Sequence, residues 1–237
     1  MVILDQIAQW HIYLIAGVAS TPHIFDECKR ELKQRFLETG RDPIIRELLP
    51  YGDHTQSMFR QIIEVGRDLS RLGAAYRPGG RAVADQVSRL SAGRPVLLIG
   101  HSGGAVAAYQ AALLLSKKGV IPDCRIIQVG SPRMPIRSDF RNKVSYFRAV
   151  DEDGKLKDPI TRLGSWGGWS RNRLGVLYWN RLKHAPGHIG TITVLGGHPH
   201  YFRSKEPYWH PQRGSNLSLT LDRIWERVAM EAVELET

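Results

Sequence analysis

The sequence predicts one doubly wound α/β domain built on a mostly parallel sheet of about six strands with helical crossovers. Three observations carry that expectation. Short apolar runs alternate with amphipathic stretches at helical spacing, which is the signature of repeated βαβ units. The 237 residues are enough for a single core to bury most of its apolar surface without disulfide or metal staples. No internal repeat, low-complexity tract or Ser/Gly/Pro-rich linker divides the chain, so residues 1–237 are read as a single domain.

Residues 11–16 (HIYLIA) are a buried-strand candidate, ended by the turn Gly17-Val18-Ala19-Ser20. Thr21 and Pro22 supply an N-cap and a proline at the first helical position. Phe25, Cys28, Leu32 and Phe36 mark the buried face of that helix, and Gly40 closes it. Residues 44–49 (IIRELL) read as a second strand. Over residues 55–72, Met58, Ile62, Val65, Leu69 and Leu72 recur at helical spacing. Pro78-Gly79-Gly80 is read as a break before another amphipathic helix, marked by Val83, Val87 and Leu90 and closed at Gly93. Residues 95–99 (PVLLI) form a continuous apolar strand. An Ala-rich helix follows over residues 104–118, with Lys117 and Lys118 placed favourably against the negative end of its dipole and Gly119 as its cap. Residues 125–129 (RIIQV) and 144–150 (VSYFRAV) are the next strands, and 151–186 is irregular. Residues 189–195 (IGTITVL) are the last strand and 216–235 the closing helix.

Composition removes several classes. Hydrophobic residues are 42% and charged residues 24% of the chain, the balance of an ordinary globular protein. No run approaches ~18–20 apolar residues, so a spanning helix is not expected. The start MVILDQIAQWHIYLIAG has Asp5 where a secretory signal carries Lys or Arg, so a cytoplasmic placement is expected. Cys28 and Cys124 are too few for a disulfide framework and sit in apolar patterns, as small buried hydrophobes do. The net charge of +10 would suit an anionic partner, or only a basic surface; charge alone does not choose.

Gly100-His101-Ser102-Gly103-Gly104 fits G-x-S-x-G. It follows the PVLLI strand directly and opens a helix at once, the strand–turn–helix setting that this motif requires. A serine with no spacer between strand and helix sits on a strained turn that side chains at the outer positions would obstruct. Backbone N–H groups of Gly103 and Gly104 then lie at a helix N-terminus, where they favour a developing oxyanion. Ser102 is therefore the candidate nucleophile. On this topology an acid and then a histidine should follow later strands. Asp151, Glu152, Asp153 and Asp158 follow VSYFRAV, and His198 and His200 follow IGTITVL. His101 is expected to shape the turn.

With these residues in view, the stretch from Pro95 to Phe202 resembles the α/β-hydrolase superfamily and, within it, the lipase class 3 group. GHSGGA is similar to the family's GHSLGG, with Gly103 in place of Leu and Ala105 in place of the last Gly. Gly130-Ser131-Pro132-Arg133 matches its G-S/T-P-R. Asp158-Pro159-Ile160-Thr161-Arg162-Leu163 resembles its D-P-V-P-x-L, and His198-x-x-Tyr201-Phe202 its H-x-x-Y-F. The resemblance implies a Ser102–Asp158–His198 triad, with Asp151 as the alternative acid and Asp153 third, because Gly154-Lys155-Leu156-Lys157 lengthens the loop relative to the family. The family's F-R-G-T/S turn is replaced by Ala16-Gly17-Val18-Ala19-Ser20; the backbone N–H of Val18 or Ala19 is expected to join that of Gly103 in the oxyanion hole. The implied activity is that of a serine hydrolase of the lipase/esterase type with no cofactor. Acyltransferase or thioesterase action on the same triad and a non-catalytic binding protein of this fold are the alternatives.

Residues 159–187 carry Trp166, Trp169, Tyr178 and Trp179 among Arg162, Arg171, Arg173, Arg181 and Lys183. They are read as a lid or pocket wall, with Trp166, Trp169 and Trp179 against an acyl chain and the cations toward an anionic head group or lipid surface. The expected partner is a small-molecule or lipid ester; nucleic acid, which the same composition could hold by stacking, is not expected. His184, His188, His198, His200 and His210 are dense, but Pro186-Gly187 spoils a helical pair and no acidic ligand is interspersed, so no metal is expected.

Overall fold

The apolar runs pair in register into one parallel sheet. The computed structural model describes residues 11–21, 23–52, 57–69, 77–91 and 93–234. The strands are β1 (His11–Ile15), β2 (Ile44–Leu48), β3 (Val96–His101), β4 (Cys124–Val129), β5 (Val144–Val150) and β8 (His188–Thr193), in the order β2-β1-β3-β4-β5-β8. Every neighbouring pair is parallel. A small antiparallel hairpin, β6 (Gly168–Arg171) and β7 (Leu177–Asn180), stands outside the sheet.

Alternation within each strand divides the core in two. Tyr13, Ile15, Val96, Leu98, Ile126 and Val144 face one side, against helices α3 (Pro78–Leu90) and α4 (Gly103–Lys117). Ile12, Leu14, Leu97, Ile99, Ile127, Phe147 and Ile192 face the other, against α1 (Asp26–Glu38) and the closing helix α5 (Asn216–Glu234). Helix α2 (Met58–Leu69) joins the α3/α4 side. Both faces are thus covered, as an all-parallel sheet requires; each fully buried aliphatic side chain contributes roughly 1.5–3 kcal/mol. The result is a three-layer α/β arrangement around a six-stranded parallel sheet, and the turn that carries Ser102 leaves the middle of that sheet. Cys28 and Cys124 are free and buried, and burial pushes both thiols up, Cys124 to about 11. Among the described residues no helix is long and apolar enough to cross a membrane.

Several expectations need correcting. The first helix starts at Asp26, not at Thr21-Pro22, because His23 takes a left-handed φ of 69° and Phe25 occupies the cap position. Pro78-Gly79-Gly80 is the first turn of α3 rather than a break. Its glycines admit close neighbours: a Cβ on Gly79 would lie 2.4 Å from the Tyr51 ring, and one on Gly80 would lie 2.5 Å from Gln110 Cβ. Helix α2 turns Val65 inward with Leu69 packed beside it, as its apolar spacing predicts, but it also turns Gln61 and Asp68 inward and leaves Ile62 54% exposed. Leu90 also lies outside. The irregular stretch 151–186 contains the β6–β7 hairpin. The amino-terminal ten residues, Pro22, both ends of the 55–72 helix and Leu235 lie outside the described residues.

Candidate active site

Strand β3 ends at His101 and α4 begins at Gly103, so Ser102 alone makes the turn. Its φ of 57° and ψ of −128° are strained for a residue with a side chain. Neighbouring glycines permit the turn: a Cβ on Gly104 would lie 2.2 Å from the Ile15 carbonyl oxygen, and one on Gly100 would lie 2.3 Å from Ala105 Cα. The Ser102 N–H donates to the Val129 carbonyl at 2.9 Å, which ties the turn to the neighbouring strand.

The hydroxyl points at a histidine from the far end of the sheet. Ser102 Oγ lies 2.9 Å from His198 Nε2, and His198 Nδ1 lies 2.9 Å from Asp158 Oδ2. An ionised carboxylate only accepts, so the proton sits on Nδ1 and Nε2 is left to accept from the serine. Asp158 is fully buried. Its Oδ2 also accepts the Tyr201 hydroxyl at 2.7 Å, and its Oδ1 accepts the Ile160 N–H at 2.9 Å. Burial acts to raise the Asp158 pKa, but the hydrogen bonds from His198, Tyr201 and Ile160 outweigh it and hold the carboxyl below its usual range. Tyr201 is itself pinned, since its oxygen accepts the Ala149 N–H at 2.7 Å.

Asp151 is outside this relay. Its Oδ1 accepts the Lys155 N–H at 2.7 Å and closes the turn formed by the lengthened loop. That turn folds back onto β5 through a bridge between Val150 and Leu156, with the Lys157 N–H on the Ala149 carbonyl. The extra residues are absorbed there, and Asp158 arrives beside His198. Asp153 is exposed, and Glu152 pairs with Arg213 at 3.3 Å.

His101 braces His198 from below. Its ring stacks on His198 with centroids 4.9 Å apart, and its Nε2–H donates to the His198 carbonyl at 3.0 Å. Burial and then the nearby His198 pull its pKa down to about 3, so it stays neutral and puts no competing charge beside His198. His200 turns away: its Nδ1 accepts the Gly197 N–H at 3.0 Å and its ring stacks on Tyr208.

The two turns expected to supply oxyanion donors lie side by side. A Cβ on Gly17 would lie 2.8 Å from Ser102 Cβ and 3.2 Å from Gly103 N, so the Gly17-Val18 turn closes over the serine at glycine distance. Ala19 drops out of the pair, because its N–H donates to Gln61 Oε1 at 2.7 Å. Of the two N–H groups expected to serve there, that of Val18 is left. Gln61, buried on α2, was not foreseen, and neither was the support beneath Gly103. There the Tyr51 hydroxyl donates to Asp68 Oδ2 at 2.7 Å, and the Gly80 N–H donates to the same oxygen at 3.0 Å. The one available signal was the i, i+4, i+7 spacing of Gln61, Val65 and Asp68.

The three tryptophans separate. Trp166 is buried against Tyr146 at 4.9 Å, with the Arg133 guanidinium 5.2 Å from its ring, and packs the domain. Trp169 and Trp179 pair across the exposed hairpin, edge to face at 5.6 Å. Among the described residues no group of three His, Cys, Asp or Glu side chains is arranged to hold a metal ion.

No known family profile matches this chain. No curated protein matches it. Among solved structures it is similar to the RedJ thioesterase of the prodiginine biosynthetic pathway in Streptomyces coelicolor, at 20% identity, with 52% of this chain and 40% of that chain covered and a TM-score of 0.35. It spans less than half of the RedJ chain in that match. A structure of RedJ with a polyethylene glycol molecule in its active site is similar at 14% identity over 94% of this chain and 92% of that one, with a TM-score of 0.46. A gene product of Listeria innocua is similar at 13% identity over 81% and 87% of the respective chains, with a TM-score of 0.45.

Proposed function

We propose that this protein is a serine hydrolase that cleaves carboxylic esters through an acyl-enzyme. The observation that carries the reading is the continuous relay from Ser102 through His198 to Asp158, set on a strained turn beside the Gly17-Val18 backbone. His198 Nε2 takes the hydroxyl proton as Oγ attacks the acyl carbonyl, and Asp158 stabilises the imidazolium that forms. The N–H groups of Gly103 and Val18 receive the oxyanion. His198 then returns the proton to the leaving alcohol. A water, deprotonated by the same nitrogen, adds to the acyl group, and collapse releases the acid and restores Ser102. The direct test is labelling with a fluorophosphonate probe followed by peptide mapping. The expected adduct is confined to Ser102; folded protein that takes no label there, or takes it elsewhere, overturns the reading.

Gln61 acts on this reaction without touching substrate. By holding the Ala19 N–H it fixes the turn that aims Val18, so Gln61→Ala is expected to lower kcat roughly tenfold, a fraction of what losing an oxyanion donor costs. KM for a short ester should hardly move. Steady-state kinetics beside a thermal melt check this, and a loss confined to KM or to stability would rule the positioning role out.

A further inference from the structure

The cations and exposed apolar residues that the triad leaves unused are concentrated in one element. Between Asp158 and Glu206 the chain carries seven Lys and Arg residues and no Asp or Glu, so this stretch supplies most of the net charge of +10. Five of those cations, Arg162, Arg171, Arg173, Arg181 and Lys183, flank or belong to the β6–β7 hairpin, and all five are exposed. None is ion-paired with a carboxylate among the described residues; the nearest Lys or Arg ion pairs in sequence belong to Lys143 and Lys205.

The hairpin is also apolar where a surface loop should be polar. Residues 171–179 are exposed without interruption. Leu174 at the tip is 87% exposed and Trp169 is 62% exposed, with Val176, Leu177, Tyr178 and Trp179 beside them. Such a cluster on a two-stranded ribbon is unfavourable in water and needs something to cover it.

The tip is built to leave water. Asn172 Oδ1 accepts the N–H groups of Leu174 and Val176, both at 2.9 Å, and the Arg171 guanidinium donates to the Gly175 carbonyl at 3.0 Å. The Asn172 N–H donates to the Val176 carbonyl at 3.0 Å. Four of the five backbone N–H groups of residues 172–176 are therefore bonded within the hairpin, the Gly175 N–H to the Asn172 carbonyl at 3.0 Å, which lowers the cost of bringing the tip to the edge of a bilayer. The base is fixed to the domain: Arg141 donates to the Leu182 and Ala185 carbonyls, both at 2.9 Å, and the Lys183 ammonium donates to the Trp169 carbonyl. From tip to base the order is aliphatic and cationic, then aromatic, then cationic. Indole rings at that middle depth match the headgroup level of a membrane.

We propose that the β6–β7 hairpin is a docking wedge for an anionic lipid surface. Leu174 and Val176 enter the boundary between headgroups and acyl chains, Trp169 and Trp179 lie at headgroup depth, and Arg171, Arg173, Arg181 and Lys183 meet lipid phosphates. An aliphatic tip offers nothing to a stacked base, which favours lipid over single-stranded nucleic acid as the occupant.

Sedimentation with vesicles tests this, using the full chain with Ser102→Ala so that turnover does not alter the lipid. Binding to phosphatidylcholine vesicles containing about 30% phosphatidylserine is expected to be at least about tenfold stronger than to phosphatidylcholine alone. The pair Leu174→Asp and Val176→Asp should lower it about a hundredfold, and Arg171→Gln with Arg173→Gln about tenfold. These side chains are exposed, so in the Ser102 background the same changes should leave thermal stability and hydrolysis of a short soluble ester unchanged. That readout keeps a failure of the wedge distinct from a failure of the triad. The proposal is overturned if the parent does not sediment with anionic vesicles, or if the Asp pair sediments as well as the parent. It is equally overturned if a single-stranded oligonucleotide binds through the same arginines more tightly than the vesicles do, with the Asp pair unaffected.

Discussion

Alanine at position 102 is expected to lower kcat on a short soluble ester by about 10⁵- to 10⁶-fold while KM changes little. The substitution removes one oxygen, the atom 2.9 Å from His198 Nε2, and nothing else of the site. His198 and Asp158 stay paired, and the oxyanion donors proposed above, the Gly103 and Val18 N–H groups, are left in place. The variant should therefore retain a rate roughly 10³ to 10⁴ above the uncatalysed one, from oxyanion stabilisation and binding alone. A folding explanation is excluded by design, since alanine keeps the Cβ that the strained turn already tolerates, and a stability change within about 0.5 kcal/mol is expected. Kinetics with a thermal melt on the same sample decide the matter. Activity within tenfold of the parent would place the chemistry at another residue.

What the sequence showed and what it hid divide along a physical line. The positions of the strands along the chain, the strand–turn–helix setting of Ser102 and the placing of acids and histidines after later strands depend on patterns that are local: an apolar run, glycines flanking a serine, histidines just after a last strand. Features set by partners far along the chain were not legible. The apolar spacing of α2 marked Val65, Leu69 and Ile62; Val65 and Leu69 do face the core, but Gln61 and Asp68 turn inward where Ile62 does not, because the Ala19 N–H and the Tyr51 hydroxyl wait for them. A polar side chain with a buried partner outranks an aliphatic one for that position, and the partner is invisible to periodicity. Tyr201 is a similar case: its motif was read, but not its bond to Asp158. The helix start at Thr21-Pro22 failed for the opposite reason. Good capping chemistry was present, and the left-handed φ of 69° at His23 overrode it.

The choice between Asp158 and Asp151 carries the second large effect. Asp158→Asn is expected to lower kcat about 10⁴-fold, equivalent to about 5.5 kcal/mol of barrier, whereas Asp151→Asn should leave it close to unchanged. Asp158 Oδ2 receives both the His198 ring N–H and the Tyr201 hydroxyl, and Oδ1 receives the Ile160 N–H. An amide has one accepting oxygen where three donors converge. With its NH₂ toward the histidine it favours the tautomer that holds the proton on Nε2, which then cannot accept from Ser102. The carboxylate is also ionised at every working pH. Its pKa lies below the ordinary carboxylate range, so its stabilising contribution is complete above that range and is lost only as pH falls through the lowered value. The pH profile of the native protein should therefore show no acidic limb from this group near neutrality. Asp151 holds only a turn, through the Lys155 N–H at 2.7 Å, and its loss would loosen that turn without altering the histidine. Parallel kcat measurements on the two variants separate the acids: a large loss in Asp151→Asn with Asp158→Asn active would move the triad to the end of β5.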